Sequence, residues 1–257
     1  MGMQLLQTQL PSMTAGIPYD TPMLAELLAP VYESHMIGKH HVGYCTWKHT
    51  PIGRGFKSFL GFLQGQVDYY AHTVGIATEG IASKTIDGLD FWDNRKPLHK
   101  SVGNYTLDFY QERMRKIVKD YISKRTTVEE QKQNPLFLYL AHQIPHIPLQ
   151  ARKDEARCKH FGLGTPRRTY CSMIVELDDA IGEFIKMYTE AGLWENTFVF
   201  IMTDNGGMTN WNKDENGYPI FPASVGSNFP LRGSKATLFE GGVRGLGVIS
   251  GGAIRQA

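Results

Sequence analysis

Apolar residues recur along this chain with two periods. Between 106 and 124, Met114, Ile117, Val118, Tyr121 and Ile122 return every three or four residues, which predicts an amphipathic helix with the basic side chains of ERMRKIVKDYISKR on its wet face. The segment 166–191 repeats this through Met173, Ile174, Leu177, Ile181, Phe184, Ile185 and Tyr188, and Gly192 follows where a left-handed C-terminal residue belongs. Thr21-Pro22 ahead of MLAELLA predicts a further helix start, with Thr21 as N-cap and Pro22 in the first turn. Elsewhere the apolar positions form short runs at 34–37, 135–141, 197–202 and 246–250. Continuous runs of that length predict strands covered on both faces. Residues 50–103, rich in Gly and aromatics, predict loops and short strands, and a long polar loop is expected from 203 to about 228. Buried strands alternating with helices predict an α/β fold with a largely parallel sheet.

In such sheets ligands bind beyond the carboxyl ends of the strands. Two of the predicted strands run into polar residues there: TDNGG at 203–207 and AHQIPHIP at 141–148. Asp204 and Asn205 offer hard oxygen ligands of the kind Ca²⁺ or Mg²⁺ takes, or an Asx turn that satisfies its own backbone. The segment GKHHVG at 38–43 sets Lys39, His40 and His41 between glycines after a short strand. Lysine can stabilise developing negative charge and histidine can move protons near neutral pH, although a solvated surface loop has the same composition. His142 and His146 stand four apart, but Pro145 and Pro148 argue against a zinc-binding helix, leaving a single anion-facing His or a satisfied loop His. Arg232 and Lys235 in LRGSK, followed by EGGVRG at 240–245, suit an oxyanion; the spacing does not support a P-loop. Asp178 and Asp179 diverge on a helix and read as its surface.

Composition narrows the function only a little. The 257 residues carry 42% hydrophobic and 20% charged side chains and a formal charge of +2, too small to argue for nucleic acid or an acidic membrane surface. No apolar run approaches the ~18 residues of a membrane span. The first residues lack the basic and apolar regions of a signal peptide, and the Ser/Thr that would favour myristoylation of Gly2. Cys45, Cys158 and Cys171 show no metal-ligand spacing, and an odd count cannot pair completely within one chain.

Taken together, GKHHVG, TPIGRGFKSFLGFLQGQVDYYAH, PLFLYLAHQIPHIPLQ, YCSMIVELDDAIGEFI, FIMTDNGG and FPLRGSKATLFEGGVRG, in this order, resemble the sulfatase family, in particular its arylsulfatase B-like branch. The resemblance covers nearly the whole chain. It implies an alkaline-phosphatase-like mixed sheet flanked by helices, with 1–257 as part of a catalytic domain that hydrolyses sulfate esters of sugars or aryl groups. By motif, Asp204 and Asn205 resemble two ligands of a Ca²⁺ ion. Lys39 and His41 resemble the pair that contacts the sulfate and assists turnover of the hydrated aldehyde. His146 and Lys235 resemble further sulfate-binding groups. His40 stands where the family usually carries Trp.

The resemblance also shows what has no counterpart here. The family nucleophile is a formylglycine made from the Cys or Ser of C/S-x-P-x-R, and no such motif occurs in this chain. The early Asp pair that completes the calcium shell, the first strand and the smaller C-terminal domain are also unmatched. The chain is therefore expected to be truncated at both ends, inactive alone, and open to association through an exposed sheet edge. A non-catalytic isoform or pseudoenzyme that binds anions or a partner chain is the alternative. A related phosphodiesterase is disfavoured, because such enzymes rely on more Asp/His metal ligands. The branch implies a lysosomal or secreted protein, with which the glycosylation triplet at Asn104 agrees.

Overall fold

The computed structural model describes residues 16–77, 85–209 and 225–254, which divide into two compact units, one up to residue 148 and the other from 149 onward. The expectations placed on Gly2 and its neighbours, and on the loop at 210–224, fall outside the described residues.

The first unit is built on strands β1 (Glu33–Lys39), β2 (Ser58–Phe62), β3 (Thr73–Ala77), β4 (Thr85–Leu89), β5 (Trp92–Asp93), β6 (Lys96–Pro97) and β7 (Leu136–Ala141). Five of them form one sheet in the order β6-β5-β2-β1-β7; β1 runs parallel to both β2 and β7, and the β5–β6 hairpin closes one side antiparallel. β3 and β4 pair antiparallel as a separate ribbon. The central strand β1 is buried from Ser34 to Gly38, and β2 from Phe59 to Phe62. Met36, Phe56, Phe59 and Leu63 form the core beneath α1 (Leu24–Leu28), and Phe137 and Ala141 of β7 pack against it. α2 (Thr106–Lys124) buries Leu107, Tyr110, Met114, Ile117, Val118 and Tyr121, the face its periodicity predicts. α3 (Val128–Gln133) starts on a capping box between Thr127 and Glu130.

Two expectations need correction here. α1 begins later than Thr21: its N-cap is Met23, whose N–H donates to Glu26 Oε2 at 2.7 Å. Thr21 is drawn away instead, its carbonyl accepting from the buried Arg54 guanidinium at 2.6 Å. β7 is also only half covered, and Tyr139 is 47% exposed.

The second unit consists of α4 (Pro166–Glu190), β8 (Val199–Met202), α5 (Glu240–Val243) and β9 (Gly247–Ser250) with connecting turns. Thr165 caps α4, Pro166 opens it, and Gly192 takes the left-handed conformation expected of it, with φ 68°. Asp178 and Asp179 lie exposed on its surface, and Asp179 pairs with Arg157 at 2.6 Å. Cys158 and Cys171 form a disulfide that ties the turn before α4 to its first turns, leaving Cys45 free. β8 and β9 pair antiparallel, and both are exposed rather than covered: Phe200 is 56% and Met202 63% exposed. Their apolar pattern is right for strands, but the face carrying Phe200, Met202 and Ile249 is largely exposed, while Val199 and Ile201 on the other are only half-buried. No helix among the described residues is long and apolar enough to cross a membrane.

Candidate functional site

In the first unit the parallel strands β2, β1 and β7 end on one edge. Gly38 pairs with Gly61 on one side and Ala141 on the other, so Lys39 and His142 leave neighbouring strands at the same level. The spacing is close: a Cβ at Gly38 would collide with the Ala141 carbonyl oxygen, and one at Gly61 with the Gly38 carbonyl. Gly38 also has φ 109°, where a side chain would be strained. The glycine of GKHHVG is thus a packing requirement that lets the cation after it emerge at the edge.

Beyond that edge, His41 adopts φ 50° and donates its N–H to the Leu63 carbonyl at 3.1 Å. Its ring lies against Gly65, where a Cβ would come within 2.8 Å. His40 turns inward, 6% exposed, and its Nε2–H donates to the His49 carbonyl at 2.8 Å. Burial holds its pKa below the usual histidine range. His146 belongs to the β7 exit loop: Tyr69 donates its hydroxyl to the His146 carbonyl at 3.0 Å, and His146 Nδ1–H donates to the Ile147 carbonyl at 2.9 Å. With Nδ1 so engaged, a neutral His146 carries its lone pair on Nε2. His142 has a different fate. Its ring stands edge-on to Tyr110 at 5.8 Å, and burial pushes its pKa down to about 4. It is therefore a neutral, packed residue, and the structure separates two histidines that spacing leaves alike.

Residues without a sequence signal hold this edge in place. Asp90 is buried and accepts from the Leu63 N–H at 3.0 Å, the Gln64 N–H at 2.8 Å and Trp92 Nε1–H at 2.7 Å. Burial raises its pKa against those hydrogen bonds. Gln143 donates to the Val67 carbonyl and Gln64 to the Tyr44 hydroxyl. His72 is fully buried at φ 55°, stacked on Phe91 at 4.3 Å, and burial lowers its pKa to about 4. An isolated Asp or His in a mixed segment gives no periodicity that marks it as buried.

In the second unit, TDNGG is held by the LRGSK and EGGVRG segments. The Gly206 N–H donates to the Gly242 carbonyl at 3.0 Å, and a Cβ on Gly206 would collide with the Gly241 carbonyl. The Gly207 N–H donates to Asn228 Oδ1, and Asn228 Nδ2 donates back to the Gly207 carbonyl, both at 2.9 Å. Lys235 donates its backbone N–H to the same Gly207 carbonyl at 3.1 Å. Asp204, Asn205 and Lys235 are thus brought into one loop cluster, and the paired glycines are there because another backbone lies against them.

Asn205 Nδ2 donates to the Gly206 carbonyl at 2.9 Å, which leaves its Oδ1 as a candidate ligand, and the exposed Asp204 carboxylate makes no hydrogen bond or ion pair among the described residues. Two adjacent hard oxygens fit Ca²⁺ in kind but not in number, since the ion takes six to eight oxygen ligands. No group of three or more His, Cys, Asp or Glu among the described residues could hold a metal.

The Sulfatase family model matches residues 2–250. This chain belongs to the sulfatase family. It is 32% identical over 241 residues to arylsulfatase J of Mus musculus, covering 93% of this chain and 36% of that protein. It is 30% identical over 231 residues to N-acetylgalactosamine-6-sulfatase of Rattus norvegicus, covering 89% of this chain and 39% of that one. The solved structure of Ps i-CgsB in complex with k-i-k-neocarrahexaose superposes with a TM-score of 0.72 at 27% identity, covering 95% of this chain and 50% of the other. This sulfatase-family chain therefore spans less than two fifths of the curated relatives, and half of the solved one. The α/β architecture with a mostly parallel sheet is that of its structural neighbours.

Proposed function

We propose that this chain is part of a sulfuric ester hydrolase acting on sulfated sugars or aryl sulfates, with 1–257 forming a partial catalytic domain. The observation that carries the reading is the delivery of Lys39, His41 and His146 to one parallel carboxyl edge in a chain matched by the sulfatase family along its length. Cleaving a sulfate ester requires charge to be neutralised on the nonbridging oxygens and a proton to reach the leaving oxygen. Lys39 supplies fixed positive charge for the sulfate. His146, its Nδ1–H held by the Ile147 carbonyl, binds the ester through Nε2. His41 serves as a proton carrier at this edge, and in the second unit Lys235 offers positive charge to an oxyanion. A Ca²⁺ ion bound through Asp204 and Asn205 would supply further positive charge; their two oxygens make only part of its shell.

The absence of C/S-x-P-x-R from these 257 residues supports a second reading, in which the chain by itself binds sulfate esters without turning them over. The exposed β8–β9 ribbon is then the surface through which it would associate with another chain. Substrates of the N-acetylgalactosamine sulfate class fit the named relatives. A lysosomal or secreted location fits the Cys158–Cys171 disulfide, which persists in oxidising compartments, and the exposed Asn104 as a glycan acceptor.

The test is sulfate binding by calorimetry, with Lys39→Ala, His146→Ala and Lys235→Ala. Each variant should weaken binding about tenfold, the loss expected when one charge-assisted contact is removed. Sulfate affinity unchanged in all of them, or a preference for phosphate over sulfate that these variants do not alter, overturns the assignment.

A further inference from the structure

Trp47 opens a one-turn 3-10 helix, Trp47–His49, on the loop that leaves β1 through Lys39 and His41, and it is 45% exposed. The turn that carries it is fixed. His40 Nε2–H holds the His49 carbonyl at 2.8 Å, and the Thr50 hydroxyl donates to the Trp47 carbonyl at 2.8 Å. The indole stands edge-on to Trp92, with ring centroids 5.7 Å apart, and Trp92 is itself tied to Asp90. One side of the ring is thus supported by protein while much of its surface faces water.

One cation lies over the indole, and a second follows it in the same turn, beside Tyr19. Arg95, exposed at the tip of the β5–β6 hairpin, has its guanidinium carbon 6.0 Å from the Trp47 ring centroid. Lys48 places Nζ 5.9 Å from the ring centroid of Tyr19, which is 52% exposed. Neither makes an ion pair among the described residues. The carboxylates nearby are largely engaged: Asp93 by Arg113 at 2.6 Å, Glu26 by Arg54 at 2.9 Å, and Asp90 under backbone N–H groups; Asp20 is exposed next to Tyr19.

We propose that Trp47, Arg95 and Lys48 form a subsite for one sugar unit of an anionic polysaccharide, separate from the residues assigned to the ester. A pyranose ring offers an apolar C–H face to the indole. Its sulfate or carboxylate substituents lie at the ring edge, where a planar guanidinium can take two oxygens and an ammonium can supply a point charge. A nucleic acid would also stack on an exposed indole, but it needs a long basic groove, and a chain of formal charge +2 does not provide one. The inference rests on the sulfate-ester reading for its choice of polymer: loop 40–50 runs from Lys39 to the indole, so one extended chain can meet both.

The experiment is binding of the full chain to immobilised heparin at 0.15 M salt, with Trp47→Ala, Arg95→Ala and Trp47→Phe. The control is Lys119→Ala/Lys124→Ala, on the basic face of α2. Trp47→Ala and Arg95→Ala should each weaken binding about fivefold to tenfold, Trp47→Phe should retain most of it, and the α2 variant should match the native chain. Unchanged affinity in Trp47→Ala and Arg95→Ala, or a larger loss in the α2 variant, overturns the subsite. If Trp47→Ala fails to fold by circular dichroism, Arg95→Ala, at an exposed hairpin tip, decides alone. Loss of heparin affinity in these variants, in a protein whose sulfate affinity ignores Lys39 and His146, would keep the subsite and remove the hydrolase reading. The opposite pattern would keep the hydrolase and remove the subsite.

Discussion

Strands β1 and β8 are both short apolar runs followed by polar residues, yet they end in opposite surroundings. β1 lies between β2 and β7 and is buried from Ser34 to Gly38. β8 pairs with β9 along one edge, and Phe200, Met202 and Ile249 of that ribbon are more than half exposed. Burial of a large apolar side chain contributes about 1.5–3 kcal/mol, a gain made at Phe59, which is fully buried, and largely forgone at Phe200. A residue's hydrophobicity states a demand for neighbours; whether the demand is met depends on what the rest of the fold supplies. The second unit meets part of its need covalently, through Cys158–Cys171, and part through backbone bonds among glycines.

The largest expected contrast comes from truncating one aromatic in each sheet. Phe59→Ala should cost about 3–5 kcal/mol in denaturant unfolding, while Phe200→Ala should stay within about 0.5 kcal/mol. Equal losses would mean that β8 is covered in solution and would break the comparison. Next in size is the disulfide: Cys158→Ser should destabilise the second unit by about 3 kcal/mol, the chain-entropy value for a loop of this order. The loss should appear as a lower melting temperature that reducing agent reproduces in the native chain.

A smaller effect sharpens the picture of the first unit. Burial raises the Glu33 carboxyl pKa, but hydrogen bonds from Lys57, Arg125 and His35 outweigh it and hold it at about 2, below the ordinary 4.5. A carboxylate depressed in the folded state stabilises above its unfolded pKa, and that contribution fades as pH falls from about 4.5 through 2. Glu33→Gln should therefore lower stability at neutral pH and flatten its fall between pH 4.5 and 2, read from unfolding midpoints across that range. The smallest expected change in stability is that of Phe200→Ser. Its readout is association: light scattering should report less self-association than in the native chain, and an unchanged value would argue that the ribbon is not the adhesive surface.

Much of this architecture was legible because periodicity reports demand. The buried face of α2, the strand at 136–141 and the left-handed Gly192 all follow from spacing alone, whereas in α4 spacing finds Met173 and Tyr188 but misses the buried Ser172, Glu176 and Ala180 and counts the exposed Ile174 as covered. The shared edge expected for AHQIPH and TDNGG was misassigned: β8 pairs antiparallel with β9 outside the parallel sheet, and it is GKHH, after β1, that meets AHQIPH at the carboxyl edge. What was not legible depended on partners distant in sequence. The exposure of β8, the pairing of Cys158 with Cys171, the capture of the Thr21 carbonyl by Arg54 and the burial of Asp90 and His72 each require a neighbour that no local pattern names. The inward turn of His40, where the family resemblance places a tryptophan, is of the same kind: its value lies in the His49 carbonyl it holds.

The edge carrying Lys39, His41 and His146 is proposed to serve sulfate-ester chemistry. The most direct measurement is release of inorganic sulfate and of inorganic phosphate from matched aryl esters by the protein isolated from its source. Sulfate release, with phosphate release far slower, is the predicted result. Phosphate release without sulfate release would contradict it.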